Sequence, residues 1–481
     1  MASRVTRRDF IRYAGLGAAG AILAACAPAA KPTEPPPPTE KPAEAQPTEA
    51  PQATEVPKAT EAPATAAPAK VVELQVTHSW PAELWPRQQQ FDETFNQEHP
   101  GIKVTGINIV WDDYVPKLTA AAAGNSMPDI MYCQFAWAQK FIMNKAVISL
   151  QPFLDKDSEF WGKDDFNPES LKSYTWQKQL YFIPYDEGPT NMIYYNQRIF
   201  DEAGVPYPHS DKPWGLEDLL DAARKLTTAD GPNKIWGWGS TPGMGGDLNE
   251  DYLSYWGGLF WVDPCETECR INEDAAVQAL EWWSKLRLEY KCTPTPADAQ
   301  TISGNPFGAS RVAMMKGASW DNRWVKAQLK DPYDVAHAPV DKDGKRHSAS
   351  MGSGYGISKD CKNTDAAWEY ERSYLSTEGQ IFMWAAPGVG STTRWSAYPA
   401  YFSSPLAPKN NKVFYDALKE YAKHNILDSP NGYEITQAAQ PIWDRALLGE
   451  ISVKEACTQI AEAVKAPMAK NEQWCKDAGL A

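Results

Sequence analysis

The sequence predicts an α/β fold divided into two lobes. Three observations predict it: strand-like and helix-like segments take turns along the chain, the part able to fold runs to 411 residues (71–481), and the 70 residues before it cannot join a core. Alternation of this kind gives mostly parallel sheets flanked by helices on both faces. More than 400 residues exceed what one hydrophobic core usually fills, so the chain is expected to divide.

The first segment is an address. Thr6-Arg7-Arg8-Asp9-Phe10-Ile11 resembles a twin-arginine export signature, and an apolar run from Tyr13 to Ala25 follows. That run falls short of the ~20 residues a membrane span needs. Leu23-Ala24-Ala25-Cys26 resembles a bacterial lipobox, which implies removal of residues 1–25 and a lipid on Cys26. The expected location is extracytoplasmic, anchored to the cell membrane by that lipid. Residues 26–70 consist almost wholly of Pro, Ala, Thr, Glu and Lys, with Pro35-Pro36-Pro37-Pro38 near the start. Without aromatic and with hardly any large aliphatic residues no core forms, so a disordered tether is expected, reaching on the order of 130 Å if fully extended.

Charge narrows the partners. The formal net charge of −14 becomes −17 once four Arg and one Asp leave with residues 1–25. So acidic a chain repels phosphate backbones, and no basic stripe offsets it, which excludes nucleic acid. Beyond Cys26 seven cysteines remain, and export permits disulfides, but an odd number leaves one thiol over or paired between chains. Cys265 and Cys269 are expected to pair, with Cys292 as competitor; Cys133, Cys361, Cys457 and Cys475 stay unassigned. None of the six His lies within 50 residues of Cys265 or Cys269, which argues against zinc.

The elements follow in order. Val72, Leu74 and Val76 alternate toward a core, giving a strand over 71–77 that breaks at Ser79-Trp80-Pro81. Phe91 and Phe95 stand four apart in a helix over 88–98. A strand over 102–110, a helix over 114–123 and a strand over 128–132 follow, and later a strand at Tyr194 precedes a helix over 216–226. Open sheets of this type bind ligands beyond the carboxyl ends of their strands.

Several stretches, in order along residues 71–481, match one family. Phe95-Asn96 with Pro100-Gly101-Ile102 and Val104 is one, and Gly124 with Pro128-Asp129-Ile130 is another. Tyr181-Phe182-Ile183-Pro184, Tyr194-Tyr195-Asn196, Phe200-Asp201-Glu202-Ala203-Gly204-Val205 and Pro213-Trp214 lie within the longest match. Ala313-Met314 with Gly317 and Trp320, then Ala366-Ala367-Trp368 and Thr377-Glu378-Gly379, complete it. Together they resemble the extracellular solute-binding proteins of ABC importers, of the sugar-binding, maltose-binding-protein-like class. The resemblance implies a two-lobed periplasmic-binding-protein-like fold (type II) that closes on its ligand about crossings near 184–187, 334–340 and 388–391. One lobe is then 71–186 plus 335–390, the other 187–334 plus 391–481. It also implies a monomer without cofactor or metal that delivers its cargo to an ABC permease.

The implied cargo is a mono- or oligosaccharide, with polyols, glycerol phosphates and peptides as the alternative. The 20 Trp, 21 Tyr and 15 Phe are mostly core, but a flat indole also suits the apolar face of a sugar ring, while carboxylates and amides suit its hydroxyl rim. Candidate ligand residues sit in loops at strand ends. These are Trp80; Gln134, Phe135 and Trp137; Tyr185, Asp186 and Glu187 on the first crossing; Tyr255 and Trp256; Trp320 and Asp321; Gly352, Ser353 and Gly354; and Arg394. Cys133 and Gln134 stand where the family often has an acidic residue. Gly352-Ser353-Gly354-Tyr355-Gly356 lacks the Lys-Ser/Thr pair and following helix of a phosphate loop. Asp341-Lys342-Asp343-Gly344 lacks calcium ligands farther along. A glycosidase needs two opposed carboxylates about 5–10 Å apart, and adjacent pairs such as Asp112-Asp113 do not supply that geometry, so catalysis is not expected.

Overall fold

Alternating Leu74 and Val76 turn inward on β1 (Val72–His78), a strand of the first sheet flanked on both sides. The computed structural model describes residues 71–208, 212–262 and 264–480; the stretch that resembles an export signal, Cys26 and the proline-rich stretch lie outside them. Pro86 sits in the first turn of α1 (Trp85–Glu98), where a missing N–H is harmless, and Phe95 is buried against the sheet. β2 (Ile102–Asn108), α2 (Trp111–Ala123), β3 (Ile130–Gln134) and α3 (Phe135–Met143) follow. These bounds fall within three residues of the expected ones.

β1 pairs in parallel with both β2 and β3. The sheet is completed by β4 (Ile183–Pro189) and by β9 (Ser348–Ile357), a strand from far along the chain. β9 runs antiparallel to β3, with Tyr355 opposite Tyr132, and antiparallel to β4, with Gly352 opposite Glu187. A short β10 (Ala422–Lys423) closes the far edge, parallel to β9.

The second sheet has the order β8-β5-β7-β6, from β5 (Met192–Asn196), β6 (Trp236–Trp238), β7 (Val312–Gly317) and β8 (Tyr333–Ala336). Both faces of β5 are covered: Met192 and Tyr194 belong to one apolar cluster, Ile193 and Tyr195 to another. That follows from the two-residue period of a strand. Of the pairings here only β6–β7 is parallel, whereas β5–β7 and β5–β8 are antiparallel. The expectation of mostly parallel sheets therefore needs correcting for this lobe, because β5 is not joined to either of its two neighbours, β7 and β8, through the helical crossover that makes consecutive strands parallel. The passage from the first sheet to the second falls at Thr190 and Asn191, between β4 and β5. On this lobe α4 (Gln197–Ala203) follows β5, and α5 (Leu216–Leu226) matches its expected bounds: Asp218 caps the Gly215 N–H at 2.9 Å, and Leu219, Leu220, Ala223 and Leu226 face inward.

The disulfide expectation is also corrected. Cys265 bonds Cys475, with Cα atoms 5.3 Å apart, while Cys269 keeps its thiol and is tied by a β-bridge to Trp261. The C-terminal helix brings the two together, for Asn471 on the same helix donates to the Glu266 carbonyl at 3.1 Å. Cys133, Cys292, Cys361 and Cys457 are buried thiols. Among the described residues no helix is long and apolar enough to cross a membrane.

Candidate ligand-binding site

Parallel β1 and β3 end at one edge of the first sheet, so the residues that follow them, Ser79-Trp80 and Gln134-Phe135, arrive side by side. β9 adds Met351, Gly352 and Ser353, and β4 adds Asp186. From the second lobe the chain leaving β7 brings Trp320 and Arg323. With Trp111, Tyr132 and Trp384 these residues enclose a pocket of about 200 Å³. It lies where open α/β sheets bind ligands.

Trp80 is held from behind. Its N–H and C=O exchange bonds of 2.7 and 2.8 Å with the Asn108 side chain, and its indole Nε1 donates to Gln88 at 3.1 Å. The ring meets Tyr132 and Trp384 edge to face at 5.9 and 5.7 Å. With its polar edge satisfied inward, the indole presents apolar surface.

Trp320 rides a single tight turn, Ser319–Asp321. Asp321 holds that turn, accepting the Ala318 N–H at 2.8 Å and the Trp324 indole N–H at 2.7 Å. The Trp320 ring lies on Gly188, where a Cβ would come within 3.0 Å of it, so the crossing strand leaves this room only as glycine. Trp320 remains half-buried. Together with Arg323 it comes from the chain leaving β7 of the second sheet, and its ring packs against the apolar cluster of the first sheet.

Asp186 is the pocket's carboxyl group. Its Oδ1 accepts the Ser353 N–H at 2.7 Å, and the Ser353 hydroxyl pairs with the Tyr132 hydroxyl at 2.6 Å. Burial pushes its pKa up to about 7, with the Ser353 bonds and the Arg323 guanidinium pulling the other way. Gly352 is required beside it, since a Cβ there would stand 2.0 Å from the Asp186 carbonyl oxygen. Register slips between Ser353 and Gly354, which makes Tyr185 the extra residue of a β-bulge.

The structure thus brings Trp80, Gln134, Phe135, Asp186, Trp320, Gly352 and Ser353 into one pocket. Tyr185, Glu187 and Trp137 stand behind it. Tyr185 is fully buried at 5.4 Å from Trp80 and 5.0 Å from Trp384. Glu187 is buried and bonded by the Ser350 hydroxyl; burial, and then the charge of Asp186, pushes its pKa up to about 8. Trp137 stacks on Tyr114 at 5.5 Å and leans on Trp111 at 4.8 Å.

The remaining candidates are committed elsewhere. Tyr255 is buried in the second lobe, donating to the Pro339 carbonyl and accepting from Asn191, while Trp256 packs on Trp282. Asp321 serves its turn, and Gly354 faces Ile183 and Phe182. Arg394 donates to the carbonyls of Leu375 and Phe160, each at 2.8 Å, and to Asp165 at 3.2 Å, clamped between the Phe160 and Phe166 rings. It binds its own segment to elements of the first lobe and does not line the pocket.

Sequence reasoning missed Ser79, Trp111, Tyr132, Arg323, Met351 and Trp384. Tyr132 lies within β3, where period two reads as core, and Trp384 arrives from a distant helical stretch. Trp111, directly after a strand end, carried the same signal as Trp80. A larger groove of about 720 Å³ lies between Trp176 and the C-terminal helix, but its Lys178, Lys476 and Asp477 are exposed surface groups. Among the described residues no cluster of three His, Cys, Asp or Glu is placed to hold a metal.

The chain belongs to the bacterial extracellular solute-binding protein family, whose model matches residues 81–381. Among curated protein sequences none matches. Solved structures share the fold. An ABC substrate-binding protein from Listeria monocytogenes, in complex with cycloalternan, aligns at 20% identity over 83% of this chain and 99% of its own, with a TM-score of 0.73. The GacH receptor of Streptomyces glaucescens, solved unliganded and with acarbose, aligns at 22% identity over 83% and 98%, with a TM-score of 0.69. An ABC transporter solute-binding protein from Agrobacterium radiobacter, in complex with ribitol, aligns at 21% identity over 83% and 100%, with a TM-score of 0.67.

Proposed function

We propose that this chain captures a carbohydrate in the cleft between its lobes and hands it to an ABC importer, acting outside the cytoplasm on a lipid tether at Cys26. The observation that carries this reading is the pocket shared by two indoles from opposite lobes, Trp80 and Trp320, with the Asp186 carboxyl and the Arg323 guanidinium beside them. Rings suit the C–H faces of a sugar, and the polar groups suit its hydroxyls. Cycloalternan and acarbose, bound by proteins of the same fold, support the ligand class.

Closure supplies the affinity: the two lobes turn on the segments that pass between them, the first at Thr190 and Asn191, and Trp320 reaches the ligand only when they meet. The chain binds without reacting. A glycosidase needs two facing carboxyls, and among the residues lining the pocket only Asp186 is acidic. A polyol is the second reading, favoured by the ribitol complex of the Agrobacterium protein and by the small pocket.

Titration of the purified chain with a panel of sugars and polyols, followed by heat and tryptophan fluorescence, tests the proposal. Saturable binding near micromolar, about −8 kcal/mol, with the ligand recovered unchanged is the expected result. Release of a product would refute the transport reading, and binding of polyols alone would move the ligand class.

A further inference from the structure

We infer that Trp111, backed by Trp137, is an outer sugar subsite at the mouth of the pocket, and that the ligand is an oligosaccharide reaching out over it. The inference rests on the carbohydrate reading above. Trp111 is 49% exposed, while every other tryptophan among the described residues is buried or half-buried. About half of the 150–250 Å² that an aromatic side chain usually buries is therefore left in water. Val110, 71% exposed, extends the apolar surface beside it.

The exposed ring is not a loose one. Trp111 opens α2, leans on Trp137 at 4.8 Å and 48°, and Trp137 stacks on Tyr114 at 5.5 Å and 20°. Tyr114 is fully buried, its hydroxyl donating to the Tyr132 carbonyl at 2.7 Å and meeting Thr77 at 2.9 Å. A ladder of three rings thus runs from the core to the surface and fixes the outermost one. Such pre-organisation lowers the entropy cost of stacking a ligand on it.

Trp111 also lines the same pocket as Trp80, Gln134 and Trp320, so its surface continues the enclosed site outward. That enclosed part, about 200 Å³, is smaller than the ~300–1,000 Å³ of pockets for larger ligands. One end of the sugar chain fits inside, and the units after it leave along Trp111. Asp112 and Asp113 follow Trp111 in the chain and are exposed, so carboxylates able to accept from sugar hydroxyls are available next to it; Asp113 also meets Lys117 at 3.0 Å.

Calorimetric titration of the full chain and its Trp111→Ala and Trp111→Phe variants tests this. The probes are glucose, maltose, maltotriose and maltotetraose, with the xylose and mannose series of equal lengths. Expected is tighter wild-type binding as chain length grows, with Trp111→Ala weakening the longest bound member about 5- to 150-fold. The monosaccharide should change less than twofold, and Trp111→Phe should retain most of the gain. Wild-type binding with Trp111→Ala unchanged for every length would overturn the outer subsite and leave the sugar-binding reading standing. Failure of the wild-type chain to bind any of these sugars would overturn both.

Discussion

Replacing Trp320 with alanine is the sharpest test of the pocket. The ring is partly buried against Gly188 and the crossing strands, so at most about a third of a typical ~200 Å² indole surface, on the order of 70 Å², is left for a ligand. At about 25 cal/mol per Å² full coverage would be worth at most about 2 kcal/mol. A sugar face covers only part of it, and stacking adds about 0.5–1.5 kcal/mol, so a loss of about 1–3 kcal/mol is expected. That is about a 5- to 150-fold rise in Kd, read by calorimetry on the tightest-bound sugar. Trp320→Phe should recover part of the affinity. Trp256→Ala, in the second lobe against Trp282, should leave Kd within twofold, which separates loss of the site from damage to the lobe. Equal Kd values for Trp320→Ala and the wild type would refute the assignment of Trp320 to the ligand.

Three further outcomes are expected. Asp186 and Glu187 have folded pKa values pushed up to about 7 and about 8, above their unfolded values, so the stability they allow is full below about pH 4 and is lost as pH rises through 8. Glu187→Gln should therefore raise the Tm of the ligand-free chain at pH 8.5 by more than at pH 5; an equal change at both would show that Glu187 is not held protonated. Cys475→Ser should cost about 2–5 kcal/mol in denaturant unfolding, since the Cys265–Cys475 bond closes a separation of 210 residues, and should leave sugar affinity unchanged. Cys26→Ser should release the protein from membranes in cell fractionation with the same Kd; continued membrane association would count against the lipid.

Legibility in the sequence followed distance along the chain. The α5 bounds were readable to the residue because caps and an apolar stripe are local signals. Trp80, Gln134 and Phe135 were readable for the same reason, each lying at the end of a strand that its own segment announces, whereas Trp320 was readable only through the resemblance of Gly317 and Trp320 to a family motif. Long-range partners were not. Arg394 looked like a ligand contact because nothing near it reveals that Phe160, 234 residues earlier, supplies its carbonyl partner. Cys265 looked paired to Cys269, four residues on, because sequence offers only nearness along the chain, whereas the fold set Cys475 beside it.

Long-range bonds also hold the candidate site together. Trp80 is fixed by Asn108 and Asp186 by Ser353. These groups need no ligand to be in position. The turn that carries Trp320 is held locally by Asp321 and at long range by the Tyr194 hydroxyl, which donates to the Ala318 carbonyl at 2.8 Å, and by the Ser391 N–H, which donates to the Ser319 hydroxyl at 3.0 Å. If the lobes close on the ligand as proposed, Trp320, which comes from the chain leaving the second sheet, is the contact whose affinity reports closure, and a ligand touching only Trp80 and Asp186 would bind without closing the lobes.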